Sequence, residues 1–179
     1  MNKQIHIFDI DGCIVSDERK DGSHIFGGWE EPNRNYEEIA KYIEEKELYS
    51  DFINFFNILK LNKPYIYFLT GRIKSYFEDI TIYQLHCLKY FFSICFYPDD
   101  DISQRGYLNF KLYKTLGIIL EDKGESLIYI YDDVDDYFPR LKQILDICDL
   151  HNYILYKVDD PELFWSNQYK RIKIERNLL

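Results

Sequence analysis

Residues Ile5-His6-Ile7-Phe8-Asp9-Ile10-Asp11-Gly12 join an apolar, β-prone run to two aspartates and a glycine. The apolar run predicts a buried strand over residues 5–9. Because a chain turns over as it leaves a sheet edge, we expect the carboxylates of Asp9 and Asp11 to point at one place. Gly12 leaves room there for a ligand. This pattern is typical of a magnesium site with a candidate nucleophile and proton donor, although Asp-x-Asp also occurs in solvated turns.

The composition indicates a folded, acidic protein. The chain has 179 residues, of which 46% are apolar, so it is long enough for one α/β domain with a substantial core. With 22 basic and 31 acidic residues, the net charge is −9. Non-specific binding to a nucleic-acid backbone requires a positive face, so this charge does not support nucleic acid as a partner, although a local basic patch remains compatible with it.

The cysteines and the N-terminus favour a cytoplasmic location. The four cysteines show no metal-binding spacing, which indicates reduced thiols packed as small apolar groups. They are Cys13, Cys87, Cys95 and Cys148. The N-terminus shows no signal-peptide pattern, and no apolar run approaches membrane-spanning length, so we expect no membrane partner.

Strands alternate with helices along the rest of the chain. We predict further strands over residues 65–69, 94–97, 127–131 and 153–158. Predicted helices begin at Tyr36, after a cap at Ser50-Asp51, at a capping box over residues 81–84, at Asn109, at Tyr137 and at Asp160-Pro161-Glu162. This alternation predicts an α/β, three-layer Rossmann-like fold with a parallel sheet and helices on both faces. Residues 1–179 are expected to form a single domain, with a short loop or flap at about residues 12–35.

Polar residues interrupt three of the predicted strands at their carboxyl ends, where parallel sheets bind ligands. They are Asp9 and Asp11, Thr70 and Arg72, and Asp132 and Asp133. Asp9 could attack phosphorus, and Asp11 could protonate the leaving alkoxide and then activate water. Thr70 would hold phosphate oxygens, and Lys111, expected at a helix start, would add a positive charge. Asp132 and Asp133 would complete a Mg²⁺ shell.

Four motifs in this order resemble those of the haloacid dehalogenase-like (HAD) superfamily of phosphohydrolases. They are Asp9-Ile10-Asp11-Gly12, Leu69-Thr70-Gly71-Arg72, Asn109-Phe110-Lys111 and Tyr131-Asp132-Asp133-Val134-Asp135-Asp136. The resemblance spans residues 9–136. It implies a sheet ordered 5-4-1-2-3, Mg²⁺ as the cofactor, and hydrolysis of a phosphomonoester through an aspartyl-phosphate on Asp9.

The resemblance also assigns site residues. The catalytic residues would be Asp9, Asp11, Thr70 and Lys111, and the phosphate-binding residues Thr70, Gly71, Arg72 and Lys111. The metal-binding residues would be Asp9, Asp11, Asp132, Asp133 and Asp136. Two alternatives stay open. Lys114 lies one turn beyond Lys111 and could be the motif lysine, and Arg72 could either clamp the substrate phosphate or pair with one of the acids.

The connecting segments are too short for the large cap domain that many family members carry, so the resemblance implies an open site. Thr70-Gly71-Arg72 and the paired Asp132-Asp133 look like the phosphatase domain of polynucleotide kinase–phosphatases. Candidates for holding a nucleic-acid end are Arg72, Lys74 and Arg105, with a basic segment at Lys170, Arg171, Lys173 and Arg176. A small phosphorylated metabolite or nucleotide is equally open as substrate, and we predict that the acidic loop Asp99–Asp101 is exposed.

A second class of function is a binding or regulatory module that keeps the fold without turnover. A chain freed from catalysis would have no physical need for the full set of acids, threonine and lysine, which favours the enzyme. If the substitution Asp9→Asn left the biological function intact, the binding module would be favoured instead.

Overall fold

The structure is a computed structural model that describes residues 3–18, 22–25, 35–98, 104–123 and 125–177. Five strands are present in these segments: β1 (Gln4–Phe8), β2 (Tyr65–Ile73), β3 (Ser93–Tyr97), β4 (Leu127–Asp132) and β5 (Tyr153–Lys157). The α-helices are α1 (Tyr36–Glu45), α2 (Ser50–Leu59), α3 (Lys74–Leu85), α4 (Gln104–Glu121), α5 (Tyr137–Ile147) and α6 (Pro161–Asn177). Short 3₁₀ turns follow α2 and α3, at Lys60–Asn62 and His86–Leu88.

The five strands form one sheet in the order β3-β2-β1-β4-β5. Every neighbouring pair is parallel. This is the expected order 5-4-1-2-3 counted from the opposite edge, so the predicted α/β parallel architecture is confirmed. β1 lies at the centre, between β2 and β4, and the carboxyl ends of these three strands therefore meet at one edge of the sheet.

Each face of the sheet packs against its own set of helices, because strand side chains alternate between the faces. Ile5 and Ile7 lie in a core cluster with buried residues of α4 and α5. Phe8 lies in the other cluster, with Phe52 of α2 and Trp165 of α6. Helices α1 and α3 pack against each other and contribute Ile43 and Phe77 to the first cluster.

His6 of β1 belongs to an aromatic layer on the α2–α6 side. Its ring stacks on Tyr129 with 4.4 Å between centroids, and its Nδ1 lies 3.2 Å from the hydroxyl of Tyr131. Nε2 is buried without a hydrogen-bond partner among the described residues. Burial lowers the pKa of His6 to about 3. His6 is therefore neutral in the folded protein and serves in the packing of the core.

Three predicted helix starts differ from the structure. The capping box at residues 81–84 is wrong, because α3 begins at Lys74 and Thr81 is a buried residue inside it. The Ser50-Asp51 cap is also wrong, since both residues lie in the first turn of α2 and Tyr49 occupies the cap position. α4 begins at Gln104 rather than Asn109. The start of α6 is confirmed, with the Asp160 carboxylate accepting a hydrogen bond from the Leu163 N–H at 3.0 Å.

Parts of some predictions lie outside the described residues. These are the loop Asp99–Asp101, the side chains of Arg105 and Arg176, and two stretches of the expected flap, residues 19–21 and 26–34. Within the described segments, none of the helices combines the length and the apolar character needed to span a bilayer.

Candidate active site

Three carboxylates from two neighbouring strands meet at the carboxyl edge of the sheet. Asp9 follows β1, and Asp132 and Asp133 lie at and after the end of β4. One oxygen from each lies within 4.8 Å of the others, close enough to hold a metal ion together. A hydrogen bond from the Asp9 N–H to the Tyr131 carbonyl (2.9 Å) continues the β1–β4 ladder up to this point. The ladder therefore fixes the distance between Asp9 and the acids at the end of β4.

Lys111 contacts two of these acids. Its Nζ lies 2.9 Å from Oδ2 of Asp9 and 2.6 Å from Oδ2 of Asp132, and its side chain is 0% exposed. Burial disfavours the ammonium, but the carboxylates of Asp132 and Asp9 outweigh burial and hold the pKa of Lys111 well above its ordinary value. Lys114 is exposed. The structure thus brings Lys111 to the acids, although from the middle of α4 rather than from the expected helix start.

Two tyrosines that the sequence analysis missed enclose Lys111. The ammonium lies 4.7 Å from the ring centroid of Tyr107 and 5.6 Å from that of Tyr137. The Tyr137 hydroxyl lies 2.5 Å from the hydroxyl of Thr115, which holds the ring in place. Tyr107 precedes Lys111 by four residues, and residues i and i+4 share one helix face. This spacing is the sequence pattern that could have indicated a contact between Tyr107 and Lys111.

The charge of the acid group is incompletely compensated. Burial raises the pKa of Asp9 well above its ordinary value; Lys111 opposes this rise, and Asp132 and Asp133 add to it. Burial likewise raises the pKa of Asp133. Its Oδ1 is buried and has no hydrogen-bond partner among the described residues. With all three carboxylates ionised beside one ammonium, two negative charges remain, and with the orphaned oxygen they fit a divalent cation that prefers oxygen ligands.

Gly12 makes the close approach of Asp133 possible. Its φ is +75°, a left-handed conformation that side-chain-bearing residues rarely adopt, and a Cβ there would overlap Oδ2 of Asp133. The backbone carbonyl of Asp133 in turn accepts a hydrogen bond from Lys157. The space at the glycine therefore holds the Asp133 carboxylate, whereas the sequence suggested room for a ligand.

Asp11 pairs with Arg72. Nε of Arg72 donates to Oδ2 of Asp11 at 2.9 Å, and Nη2 donates to Oδ1 at 2.7 Å. The arginine side chain is 1% exposed and the aspartate 12%. Of the two alternatives for Arg72, the structure places it against an acid. Among the described residues, Asp11 is not part of the carboxylate group that could hold a metal.

Thr70 lies beside this ion pair. It is fully buried, and its hydroxyl accepts a hydrogen bond from the Arg72 N–H at 3.1 Å. The next residue, Gly71, packs against the ring of Tyr107, where a Cβ would come within 2.8 Å of a ring carbon. β2 therefore links Arg72 on one side of the site to the environment of Lys111 on the other.

Other candidate residues lie outside this constellation. Asp136 is exposed at the start of α5 and does not belong to the three-acid group. Lys74 is exposed and lies 3.6 Å from Glu78. Lys170 begins the basic segment nine residues after Pro161, which corresponds to about 14 Å along the axis of α6 at a rise of 1.5 Å per residue. The described part of that segment therefore lies well beyond the start of α6.

An acidic cleft of about 540 Å³ opens beside the site and shares Gly12 and Asp133 with it. Its acidic lining residues are Asp17, Glu18, Asp133, Asp159, Asp160 and Glu162. Lys157 also lines it, 3.1 Å from Asp159 and 3.2 Å from Asp135. Nε2 of His24 lies 3.1 Å from Oδ2 of Asp17, and this hydrogen bond raises the pKa of the imidazole. The negative field of the cleft disfavours polyanions there.

Comparison with known proteins adds a structural relative. The sequence matches no protein-family model and no curated protein at a significant level. The structure is similar to a chain in the solved Pnkp1/Rnl/Hen1 RNA repair complex, with a TM-score of 0.54 and 15% sequence identity. The similarity covers 87% of this chain but 43% of the matched chain, so this chain spans less than half of that relative. At this identity the likeness shows a shared fold.

Proposed function

We propose that the protein is a magnesium-dependent phosphatase of the HAD-like superfamily that hydrolyses a phosphomonoester. The observation that carries this proposal is the group formed by Asp9, Asp132, Asp133 and Lys111 at the carboxyl edge of the sheet. Catalysis of phosphoryl transfer depends chiefly on positioning and charge stabilisation. It needs a nucleophilic carboxylate, further acids to hold a hard cation, and a buried ammonium.

Asp9 is the nucleophile in this proposal. A carboxylate oxygen of Asp9 forms a bond to phosphorus while the bond to the leaving oxygen breaks, which gives an aspartyl-phosphate. The Lys111 ammonium, already 2.9 Å from Oδ2 of Asp9, orients the carboxylate and stabilises the charge that develops on the phosphoryl oxygens. Bound Mg²⁺, held by Asp9, Asp132 and Asp133, would lower the repulsion between the carboxylate and the substrate phosphate.

Asp11 transfers the protons. It gives a proton to the leaving oxygen and takes one from the water that then hydrolyses the aspartyl-phosphate, which releases phosphate and restores Asp9. Oδ1 of Asp11 accepts from both Nη2 and Nε of Arg72, whereas Oδ2 accepts from Nε alone and keeps a lone pair for this proton. The Thr70 hydroxyl, which accepts from Arg72, keeps its own proton for donation to a phosphate oxygen.

The relative in an RNA repair complex favours a nucleic-acid end as the substrate, as a second and more specific candidate. Two observations oppose it: the acidic cleft that adjoins Asp133, and the position of the basic stretch well beyond the first residues of α6, which line that cleft. A small phosphomonoester needs neither an extended basic groove nor a neutral cleft. The substrate screen below therefore includes both classes.

The test is a phosphate-release assay with Mg²⁺ on an aryl phosphate, a panel of nucleotides and sugar phosphates, and 3′- and 5′-phosphorylated oligonucleotides. Wild type runs beside Asp9→Asn and beside Asp79→Asn, an exposed aspartate on α3 that serves as the matched control. We expect release that EDTA and Asp9→Asn abolish and Asp79→Asn preserves. Activity that survives Asp9→Asn or EDTA contradicts the proposal. Silence across the panel would favour a non-catalytic module.

A further inference from the structure

The guanidinium of Arg72 is held from two sides. Nε and Nη2 face Asp11, and Nη1 faces α3, where it donates to Oγ1 of Thr81 at 3.0 Å and to Oε1 of Gln84 at 2.9 Å. Both N–H groups of Nη1 therefore have acceptors. Because a guanidinium is planar and rigid, fixing Nη1 also fixes the direction of the Nε–Nη2 edge.

The amide of Gln84 is itself anchored at its other end. Its Nε2 donates to the carbonyl of Lys46 at 2.8 Å and, at 3.4 Å, to that of Ile43. These carbonyls lie at the carboxyl end of α1, where helix geometry leaves the last C=O groups without intrahelical partners. With donors facing two carbonyls and an acceptor facing a cation, only one orientation of the amide satisfies every group.

We infer that Gln84 is a positioning residue that holds the Arg72 guanidinium against Asp11. The carboxyl end of α1 fixes the amide, the amide oxygen fixes Nη1, and the opposite edge of the guanidinium fixes the carboxylate. Without Oε1, one N–H of Nη1 loses its acceptor in a buried site, and the guanidinium can rotate toward other oxygens. The catalytic consequence rests on the proposed function, in which Asp11 protonates the leaving oxygen.

Gln84→Met removes the amide and keeps a side chain of similar length, and Gln143→Met on the exposed face of α5 is the matched control. An alkyl phosphate needs its leaving oxygen protonated far more than p-nitrophenyl phosphate does. For Gln84→Met we therefore expect kcat to fall about tenfold on the alkyl ester and less than about threefold on the aryl ester, with KM within about twofold. Equal losses on the two esters, or none, would overturn the inference.

A second measurement does not depend on turnover. The solvent exchange of the Arg72 Nε–H, followed by ¹⁵N NMR, should be about tenfold faster in Gln84→Met than in wild type or Gln143→Met. Unchanged exchange overturns the inference, whether or not the protein is a phosphatase. If wild type hydrolyses neither ester, the proposed function fails while the exchange rate still tests Gln84. Should Gln84→Met not fold, Gln84→Asn, one methylene too short to reach both partners, replaces it with the same expected effects.

Discussion

Nζ of Lys111 and Oδ2 of Asp9 lie 2.9 Å apart in a setting closed to solvent, with the two side chains 0% and 4% exposed. The same ammonium contacts Asp132 at 2.6 Å. In such a site, removing one partner leaves the other charge buried and uncompensated. The contact therefore ties the charge of the proposed nucleophile to one residue of α4, and the rings of Tyr107 on α4 and Tyr137 on α5 hold its ammonium in place.

Lys111→Met should abolish most of the phosphatase activity, and Lys114→Met should not. We expect kcat to fall by about 10²-fold or more at Lys111, since a preorganised charge at the transferring group is lost, and to change less than about twofold at Lys114. Steady-state kinetics on one phosphate ester measure both. The reverse ranking would mean that Lys114 is the motif lysine, in conflict with its exposed position.

Gly12→Ala should impair the response to Mg²⁺, whereas Gly22→Ala should not. Both glycines have left-handed φ values, +75° and +80°, but a Cβ at Gly22 meets nothing within 4 Å while one at Gly12 overlaps Asp133. Each substitution should cost about 1–2 kcal/mol of unfolding free energy from backbone strain. Only Gly12→Ala should also reduce the Mg²⁺-dependent shift in Tm and the activity. Equal Mg²⁺ responses in the two variants would count against the proposed position of Asp133 at the metal.

Gly71→Ala and Gly117→Ala should change stability in opposite directions. At Gly71 a Cβ would lie 2.8 Å from Tyr107, so we expect a loss of about 1–3 kcal/mol from overpacking. Gly117 lies inside α4 with open space around its Cβ, so alanine there should add about 0.5–1 kcal/mol through helix propensity. Urea unfolding measures both. A neutral Gly71→Ala would show that Tyr107 can move without cost.

Local patterns in the sequence predicted the parallel sheet and the meeting of Asp9, Asp132 and Asp133. Apolar runs ending in polar residues are a local signal, and the topology brings the carboxyl ends of the central strands together. The boundaries of α3 and α4 were not predictable in this way. Tertiary packing that buries Thr81 outweighed the capping-box pattern there, since local propensity is a weak prior.

The partners of Arg72 show the limit of the sequence reasoning within the site. Spacing alone suggested that Asp9 and Asp11 point together, but a buried guanidinium needs a carboxylate, and Asp11 provides it. No sequence pattern indicates the role of Gln84, because that role depends on the carbonyls at the end of α1, which nothing in the sequence relates to α3. Long-range hydrogen bonds of this kind appear only once the helices are packed.

His6 should make the protein less stable as the pH falls below about 6.5. Burial lowers its folded-state pKa to about 3, so between these values the unfolded chain binds a proton that the folded protein does not. The free energy of unfolding should therefore decline toward acid, with His6 contributing up to about 1.4 kcal/mol per pH unit. Urea unfolding between about pH 7 and about pH 4.5 should show a shallower decline for His6→Phe than for wild type.

The control for this pH effect is His151→Gln, which alters an exposed histidine paired with Asp149. Its decline should match that of wild type. Because other groups also titrate in this range, the comparison rests on the difference in slope between the variants rather than on the slope itself. Identical slopes for His6→Phe and wild type would mean that His6 takes up its proton in the folded state.

Asp133→Asn and Asp136→Asn separate the two acids of the fourth motif that were both candidates for the metal. Asp133 lies in the three-acid group with a buried oxygen that lacks a partner among the described residues, while Asp136 is exposed. Asp133→Asn removes one of the charges that favour a divalent cation, so Mg²⁺ affinity measured by calorimetry should fall about tenfold or more. Without Mg²⁺, the same variant should be as stable as wild type or more so, since it relieves repulsion among buried carboxylates.

Asp136→Asn should leave Mg²⁺ affinity within about twofold, because a single exposed charge is screened by solvent. If Asp136→Asn instead weakens Mg²⁺ binding and Asp133→Asn does not, the ion lies outside the three-acid group.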